Sequence, residues 1–203
     1  MHPQFAPMMR KLRKFQQVQF ATNGDNLSFM NVSAILQGCT TFSLSLHEYK
    51  LPIQTSMPLL FRLCRQKRIQ SQVSILETDL PKECKDKFVS AWQNCTERVR
   101  IYEEHSHNGF GSSDKATMDN GEPCHKPFED MIVYWNGQVG LCNHDWNNLT
   151  ELGNLNEQSV ADVWNNQAYE DVRKKHKDGL RRTLPSCRSC EYYTGKMKGE
   201  LYE

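Results

Sequence analysis

The chain has 203 residues, and its 25 Lys and Arg residues nearly balance 24 Asp and Glu residues, which gives a formal net charge of +1. This length allows one large domain or two modest ones, of which we expect two. The balanced charge excludes a broad field that would attract nucleic acid or an anionic membrane, so we expect neither as a partner. Without a signal peptide or a membrane-spanning stretch, we expect a cytoplasmic protein whose eight cysteines stay reduced.

Helical and strand patterns alternate along the first half of the chain. Residues 41–47 alternate apolar and polar side chains with a period of two, which is typical of a strand. Strands that alternate with helices imply right-handed crossovers, and they predict a parallel sheet in an α/β domain. The predicted elements are helix 7–15, strand 17–22, helix 27–36, strand 41–47, helix 57–66, strand 72–76, helix 81–93 and strand 98–103.

A polar, glycine-rich segment at 108–121 predicts a linker between a first domain at 1–107 and a second at 122–203. In the second domain, residues 131–135 and 138–141 predict a hairpin with a two-residue turn at Asn136-Gly137. Residues 159–177 predict one helix, which begins at a capping box of Ser159 and Asp162 and ends at Gly179.

Four cysteines fall in the second domain. Cys187 and Cys190 form a Cys-x2-Cys knuckle, and the predicted hairpin returns Cys124 and Cys142 to the same end. Four thiolates suit a [4Fe–4S] cluster or a structural zinc ion, and the spacing alone does not decide between them.

Two histidines and three tryptophans lie near these cysteines in the sequence. His125 and His144 flank two of the cysteines and could replace a ligand, although histidines beside a cluster more often surround it. Trp135, Trp146 and Trp164 are most simply core residues around the site.

The order of motifs in this domain resembles the SPASM domain of radical S-adenosylmethionine (SAM) enzymes. The motifs are Cys124-x12-Gly137-x4-Cys142, Leu152-Gly153-Asn154-Leu155, the 159–164 helix entry and Cys187-x2-Cys190. The resemblance implies an auxiliary [4Fe–4S] cluster rather than zinc, held by Cys124, Cys142, Cys187 and Cys190. Because Cys190 is the last cysteine in the chain, it implies one cluster.

Residues 1–107 resemble the later part of a radical SAM barrel. The motifs are Met1-His2-Pro3, Thr22-Asn23-Gly24 and the strand end at 43–47. The implied fold class is α/β, with a partial parallel (β/α) barrel that lacks its first strands, followed by a small α+β SPASM domain. By the same resemblance, Asn23 and Ser45 would line the SAM site, where His47 departs from the usual Asp of the family.

Polar residues at the carboxyl ends of the predicted strands are the candidates for cofactor binding, because parallel barrels bind ligands there. The candidates are Asn23, Ser45, His47, Glu77, Glu103 and His105. The polar face of strand 41–47 also requires a wet or ligand-bearing lumen, since an unsatisfied buried polar group costs about 1–3 kcal/mol. Most of these residues could equally well be polar strand ends that bind no ligand. Only for Ser45 do we favour a functional role.

The sequence contains no Cys-x3-Cys-x2-Cys motif, which radical SAM chemistry requires, and no Gly-Gly-Glu-Pro motif. Cys39, Cys64, Cys84 and Cys95 have no such spacing and are interpreted as ordinary core or surface residues. We therefore assign no catalytic residue, and we expect SAM to bind and be cleaved only if another polypeptide completes the barrel.

Two functions remain open at this stage. The first is the C-terminal part of a radical SAM/SPASM enzyme that modifies a peptide or small-molecule substrate. The second is a non-catalytic module that binds an iron–sulfur cluster, or zinc, and recognises a peptide or protein partner.

Overall fold

The structure is a computed structural model that describes residues 4–103, 123–188, 190 and 199–203. The described residues divide into two compact units. The first unit comprises 4–103 together with 199–203, and the second lies within 123–190. The predicted linker at 108–121 and the candidate His105 lie outside the described residues.

The first unit is built on a five-stranded sheet. Across the sheet, the strands are β1 (Gln19–Thr22), β2 (Thr41–Leu46), β3 (Gln70–Leu76), β4 (Arg98–Tyr102) and β8 (Gly199–Tyr202). β1 to β4 are parallel, which confirms the predicted α/β class with a parallel sheet. The helices of this unit are α1 (Phe5–Leu12), α2 (Phe29–Gly38), α3 (Met57–Gln66) and α4 (Lys85–Gln93).

The last strand of the sheet is not among the predicted elements. β8 pairs antiparallel with β4, so residues 199–203 belong to the first unit, whereas the predicted boundaries include them in 122–203. A short polar segment becomes a strand here because β4 offers it a ladder of hydrogen bonds, and such a contact leaves no local pattern in the sequence.

One face of the sheet forms the core of the first unit. Phe42 and Leu44 are buried side by side with Val73 of the neighbouring strand, as the period-two pattern predicts. Helices cover this face, and Phe61 of α3 packs edge-on against Trp92 of α4 at 5.9 Å between ring centroids. The opposite, polar face is therefore the side of the sheet on which Ser43 and Ser45 lie.

The second unit contains a three-stranded antiparallel sheet and three short helices. The elements are α5 (Lys126–Glu129), β5 (Ile132–Val133), β6 (Gln138–Gly140), β7 (Glu151–Asn154), α6 (Val160–Trp164) and α7 (Gln167–Lys177). Their core includes Val139, Leu152, Val163 and Tyr169. No helix in the described part of the chain is long and apolar enough to cross a membrane.

The hairpin forms where it is predicted, but its loop has three residues instead of two. Tyr134 N donates to Gln138 O at 2.9 Å, and Gly137 N donates to Tyr134 O at 2.9 Å. Gly137 has a φ of +88° and realigns the strands after the tight turn. A three-residue hairpin loop usually consists of a type I turn followed by a left-handed residue, which here is Gly137. The predicted two-residue turn at Asn136-Gly137 is therefore wrong.

The structure has two helices, α6 and α7, where the sequence predicts one helix over 159–177. The capping box is confirmed, because Asp162 N donates to Ser159 Oγ and Ser159 N donates to Asp162 Oδ2, both at 3.2 Å. Asn166 then interrupts the helix: its Oδ1 accepts from Tyr169 N at 2.9 Å and starts α7, while its Nδ2 donates to Leu152 O at 2.7 Å. An Asn side chain competes with backbone hydrogen bonds in this way, and the bond to Leu152 depends on the tertiary structure.

Candidate metal centre

All four candidate cysteines line one small cavity in the second unit. Cys124 precedes α5, Cys142 follows β6, and Cys187 ends a short 3-10 turn before Cys190. The first three are buried and Cys190 is half-buried. The other lining residues are Lys126, Pro127, Leu141, His144, His176, Arg181 and Ser186.

The four thiols are near one another because they all line this cavity. Among the residues that the structure describes, no three His, Cys, Asp or Glu side chains converge closely enough to hold a single metal ion. The four sulfur atoms therefore surround a shared space without meeting at one point.

A buried carboxylate joins the segments that carry Cys142 and Cys187. Asp145 Oδ1 accepts from Leu149 N at 3.0 Å, which closes the loop after Cys142. Asp145 Oδ2 accepts from Ser186 Oγ at 2.5 Å, and Ser186 directly precedes Cys187. Because Asp145 is 2% exposed, these charge-assisted hydrogen bonds are shielded from water. They hold the loop after Cys142 against the Cys-x2-Cys knuckle.

Burial and neighbouring hydrogen-bond donors have opposite effects on the pKa values of the cysteine thiols. Burial raises the pKa of the Cys142 thiol to about 11, and it also raises the pKa values of Cys124 and Cys187. Backbone N–H groups of Lys126, at the Cys124 sulfur, and of His144, at the Cys142 sulfur, lower the pKa of these thiols. Donors that face a sulfur atom favour the thiolate, which is the form that binds metal.

Two charged or titratable residues at this cavity, His176 and Arg181, are missing from the sequence prediction. Both are almost fully buried, at 1% and 2% exposed, respectively. His176 Nε2 lies 3.7 Å from Cys187 Sγ, and burial, aided by Arg181, lowers the pKa of this imidazole to about 4. His176 could have been found because it lies on the buried stripe of α7 with Tyr169 and Val172.

The residues that flank the cysteines in sequence have different environments. His144 is buried in the cavity wall, whereas His125 is half-buried before α5. The prediction that the tryptophans are core residues is wrong for Trp135 and Trp146, which are 97% and 59% exposed. Trp164 does pack inside the unit, and Arg173 lies over its ring with 4.3 Å between the guanidinium carbon and the centroid. The hairpin tip turns Trp135 outward because this residue lies in the three-residue loop.

The strand-end candidates of the first unit lie along one edge of the parallel sheet. Asn23, His47, Glu77 and Glu103 directly follow β1, β2, β3 and β4, respectively. Asn23 makes local bonds, since its Nδ2 donates to Asp25 Oδ2 at 2.8 Å. His47 and Glu77 are exposed, and Glu77 lines a separate open cleft.

Ser45 lies on the polar face of the sheet, where hydroxyl and amide groups pair across the strands. Ser74 Oγ donates to Ser45 Oγ at 3.3 Å, and Gln72 Nε2 donates to Ser43 Oγ at 3.3 Å. These side chains satisfy part of their hydrogen-bonding capacity among themselves.

The remaining cysteines lie in the first unit. Cys39 and Cys64 belong to its apolar core, where burial raises their thiol pKa values to about 11 and about 12. Cys84 and Cys95 are half-buried beside the same core. Their positions agree with the prediction that they are ordinary core or surface residues.

Comparison with a family model identifies the cysteine-bearing unit. Residues 124–191 match SPASM, described as an iron-sulfur cluster-binding domain. All four candidate cysteines lie inside the matched range. The predicted resemblance of this domain is thereby confirmed.

Two known proteins are similar over about a third of the chain. The S-adenosyl-L-methionine-dependent 2-deoxy-scyllo-inosamine dehydrogenase of Niallia circulans is 33% identical over 76 residues, which are 37% of this chain and 29% of that protein. An uncharacterized protein of Treponema pallidum (strain Nichols) is 36% identical over 73 residues, which are 36% of this chain and 19% of that protein. The chain thus covers less than a third of the length of either relative.

Solved structures of SuiB from Streptococcus suis share the fold. SuiB bound to S-adenosylmethionine has a TM-score of 0.60 at 13% identity, over 92% of this chain and 57% of SuiB. SuiB bound to the precursor peptide SuiA has a TM-score of 0.59 at 14% identity, over 83% of this chain and 52% of SuiB. At this level of identity, the similarity concerns the fold alone.

Proposed function

We propose that this chain, which carries a SPASM iron–sulfur domain and resembles radical SAM/SPASM proteins, binds one auxiliary [4Fe–4S] cluster through Cys124, Cys142, Cys187 and Cys190. The observation that carries the proposal is the single cavity lined by all four thiols, although they come from three separate segments. Sulfur is the donor that iron–sulfur clusters take from proteins, and four cysteines complete the ligand set.

The surroundings of the thiols fit such a cluster. N–H groups face the sulfur atoms of Cys124 and Cys142, and hydrogen bonds of this kind stabilise thiolates and tune bound clusters. The Asp145–Ser186 bond holds two of the proposed ligand segments together, and Leu141 contributes a buried apolar side chain to the cavity wall. When bound, an iron–sulfur cluster supplies one-electron transfer.

We further propose that the parallel sheet of the first unit is part of a radical SAM (β/α) barrel in a cytoplasmic enzyme. The fold shared with SuiB bound to S-adenosylmethionine supports this assignment. The residues offered for SAM binding are Asn23, Ser45, His47 and Glu77, on or directly after the strands. The substrate class is a peptide or a small molecule.

A partner polypeptide would complete the barrel and supply the Cys-x3-Cys-x2-Cys motif that this sequence lacks. In the described sheet, β1 is an edge strand. An edge strand presents backbone N–H and C=O groups that can pair with a strand from another chain. We therefore propose that the partner polypeptide pairs with β1.

The second candidate function is a non-catalytic module that binds an iron–sulfur cluster or zinc and recognises a peptide or protein. The absence of the SAM-cluster motif from the sequence favours this alternative. Four thiolates are also the ligand set of a structural zinc ion, although in this structure the thiols would have to move closer together to meet at one ion.

The metal content of the full chain tests the proposed function. After anaerobic purification and reconstitution with iron and sulfide, we expect about four irons and about four sulfides per chain, because four cysteines form one ligand set. We also expect broad thiolate-to-iron absorption. Stoichiometric zinc without iron would overturn the proposal in favour of the zinc module.

A further inference from the structure

His176 is the side chain that approaches a candidate ligand sulfur from the helical side of the cavity. It lies near the end of α7, and its Nε2 is 3.7 Å from Cys187 Sγ, within hydrogen-bonding distance for sulfur. The rest of the buried stripe of this helix is Tyr169 and Val172. The helix therefore packs into the core of the unit and holds the imidazole against the sulfur.

The surroundings of the imidazole decide which ring nitrogen carries its hydrogen. Burial favours the neutral ring, which has one N–H group and one acceptor nitrogen. His176 Nδ1 is buried and has no hydrogen-bond partner among the described residues. An N–H placed on Nδ1 would be an unsatisfied buried donor, whereas an N–H on Nε2 points to a sulfur acceptor. When Cys187 is a thiolate, as in a cluster ligand, the hydrogen therefore belongs on Nε2.

A buried positive charge lies beside the same sulfur. Arg181 lines the cavity and is 2% exposed. Its guanidinium is therefore shielded from water in the same cavity as the four cysteines. A positive charge at this position favours negative charge on the cavity's sulfur atoms.

We propose that His176 is a positioning residue that donates its Nε2–H to the Cys187 thiolate and thereby raises the reduction potential of the bound cluster. This inference rests on the proposed iron–sulfur function. One-electron reduction increases the negative charge that the cluster shares with its thiolate ligands. A donor to one of these sulfurs stabilises the reduced form more than the oxidised form, so its removal lowers the potential.

The test is a redox titration of the full, anaerobically reconstituted chain with dithionite as the one-electron reductant, followed by electron paramagnetic resonance. His176→Leu removes the donor, whereas His176→Gln keeps an N–H near the position of Nε2. Tyr169→Phe is the matched control, because it removes a polar atom from the same buried stripe without touching a ligand sulfur. We expect a more negative potential for His176→Leu and near wild-type potentials for His176→Gln and Tyr169→Phe.

A wild-type potential in His176→Leu, at unchanged iron content, would overturn this inference alone. A wild-type chain that binds no iron would overturn the proposed function and this inference with it.

If His176→Leu does not fold, the reduced wild-type protein labelled with ¹⁵N-histidine provides the second measurement. We expect a weak nitrogen hyperfine coupling that His176→Gln abolishes and that His144→Gln retains. No histidine coupling in the wild type, or a coupling that persists in His176→Gln, would contradict the proposed hydrogen bond.

Discussion

Cys142 and Cys187 are two of the four residues that we propose as cluster ligands, and both are buried. We expect Cys142→Ala or Cys187→Ala to abolish iron binding and to destabilise this unit relative to the iron-bound protein. Metal binding to a small site supplies about 10–16 kcal/mol in zinc fingers. A typical domain has a total stability of only about 5–15 kcal/mol. Iron analysis and limited proteolysis of the purified variants measure the two effects.

Cys39→Ala is the control for this prediction, since Cys39 is also buried but belongs to the core of the first unit. It creates a small cavity and should leave the iron content unchanged. Equal loss of iron from Cys39→Ala and Cys142→Ala would show that the ligand assignment is wrong.

The Cys142 thiol also makes the stability of the metal-free protein depend on pH. Burial raises its pKa from 9.0 to about 11 in the folded state. Between these values the folded state keeps a proton that the unfolded state releases, so the free energy of unfolding falls as pH rises. We expect the metal-free protein to lose stability from pH 9 to 11, as measured by urea unfolding.

Cys142→Ser provides the comparison for this titration, because it keeps a small polar side chain that does not ionise in this range. Its stability should fall less over the same pH interval, since the remaining cysteines contribute equally to both proteins. Identical slopes for the two proteins would exclude Cys142 as a source of the pH dependence.

Among the elements, the hairpin that precedes Cys142 depends on Gly137. Its φ is +88°, and a Cβ there would lie 2.3 Å from Asn156 Nδ2, which already donates to Asn136 O at 2.7 Å. A left-handed alanine costs about 1–2 kcal/mol, and moving Asn156 aside breaks its hydrogen bond to Asn136 O, which adds about 0.5–1.5 kcal/mol. We therefore expect Gly137→Ala to reduce the free energy of unfolding by both amounts, as measured by urea unfolding.

A substitution at Gly179 separates the backbone cost from the cost of the contact with Asn156. It has a φ of +73° at the end of α7, and a Cβ there would meet nothing within 4 Å. Gly179→Ala should therefore cost only the backbone component, about 1–2 kcal/mol. If both substitutions destabilise the protein equally, the contact with Asn156 does not contribute.

For the whole molecule, the decisive question is whether this chain can activate SAM. The sequence has no Cys-x3-Cys-x2-Cys motif. We therefore expect the reconstituted 203-residue chain to release no 5′-deoxyadenosine from SAM under strong reductant. Chromatography of the anaerobic reaction mixture measures this product.

Addition of a polypeptide that carries the motif and the Gly-Gly-Glu-Pro strand is the matched experiment. We expect it to restore 5′-deoxyadenosine release if the first unit forms part of a shared barrel. Release by the chain alone would show that another ligand set holds a SAM cluster.

Local patterns in the sequence determined much of this protein. The period-two alternation at 41–47 predicts the apolar face of β2, and the Ser159–Asp162 pair predicts the start of α6. The four SPASM-like cysteines could be selected from eight by spacing and resemblance. Such features are readable because each depends on residues that are close in the chain or on a recurring motif.

Only the tertiary structure decided the surroundings of the cavity. The Asp145–Ser186 bond joins residues 41 positions apart, and the His176 contact with Cys187 requires α7 to pack beside the knuckle. Asn166 divides the predicted helix because it also bonds to Leu152, and β8 is a strand because β4 is available. In each case the stabilising contact is made with a residue far away in the sequence. The local sequence therefore shows which residue is present but not the contact that determines its role.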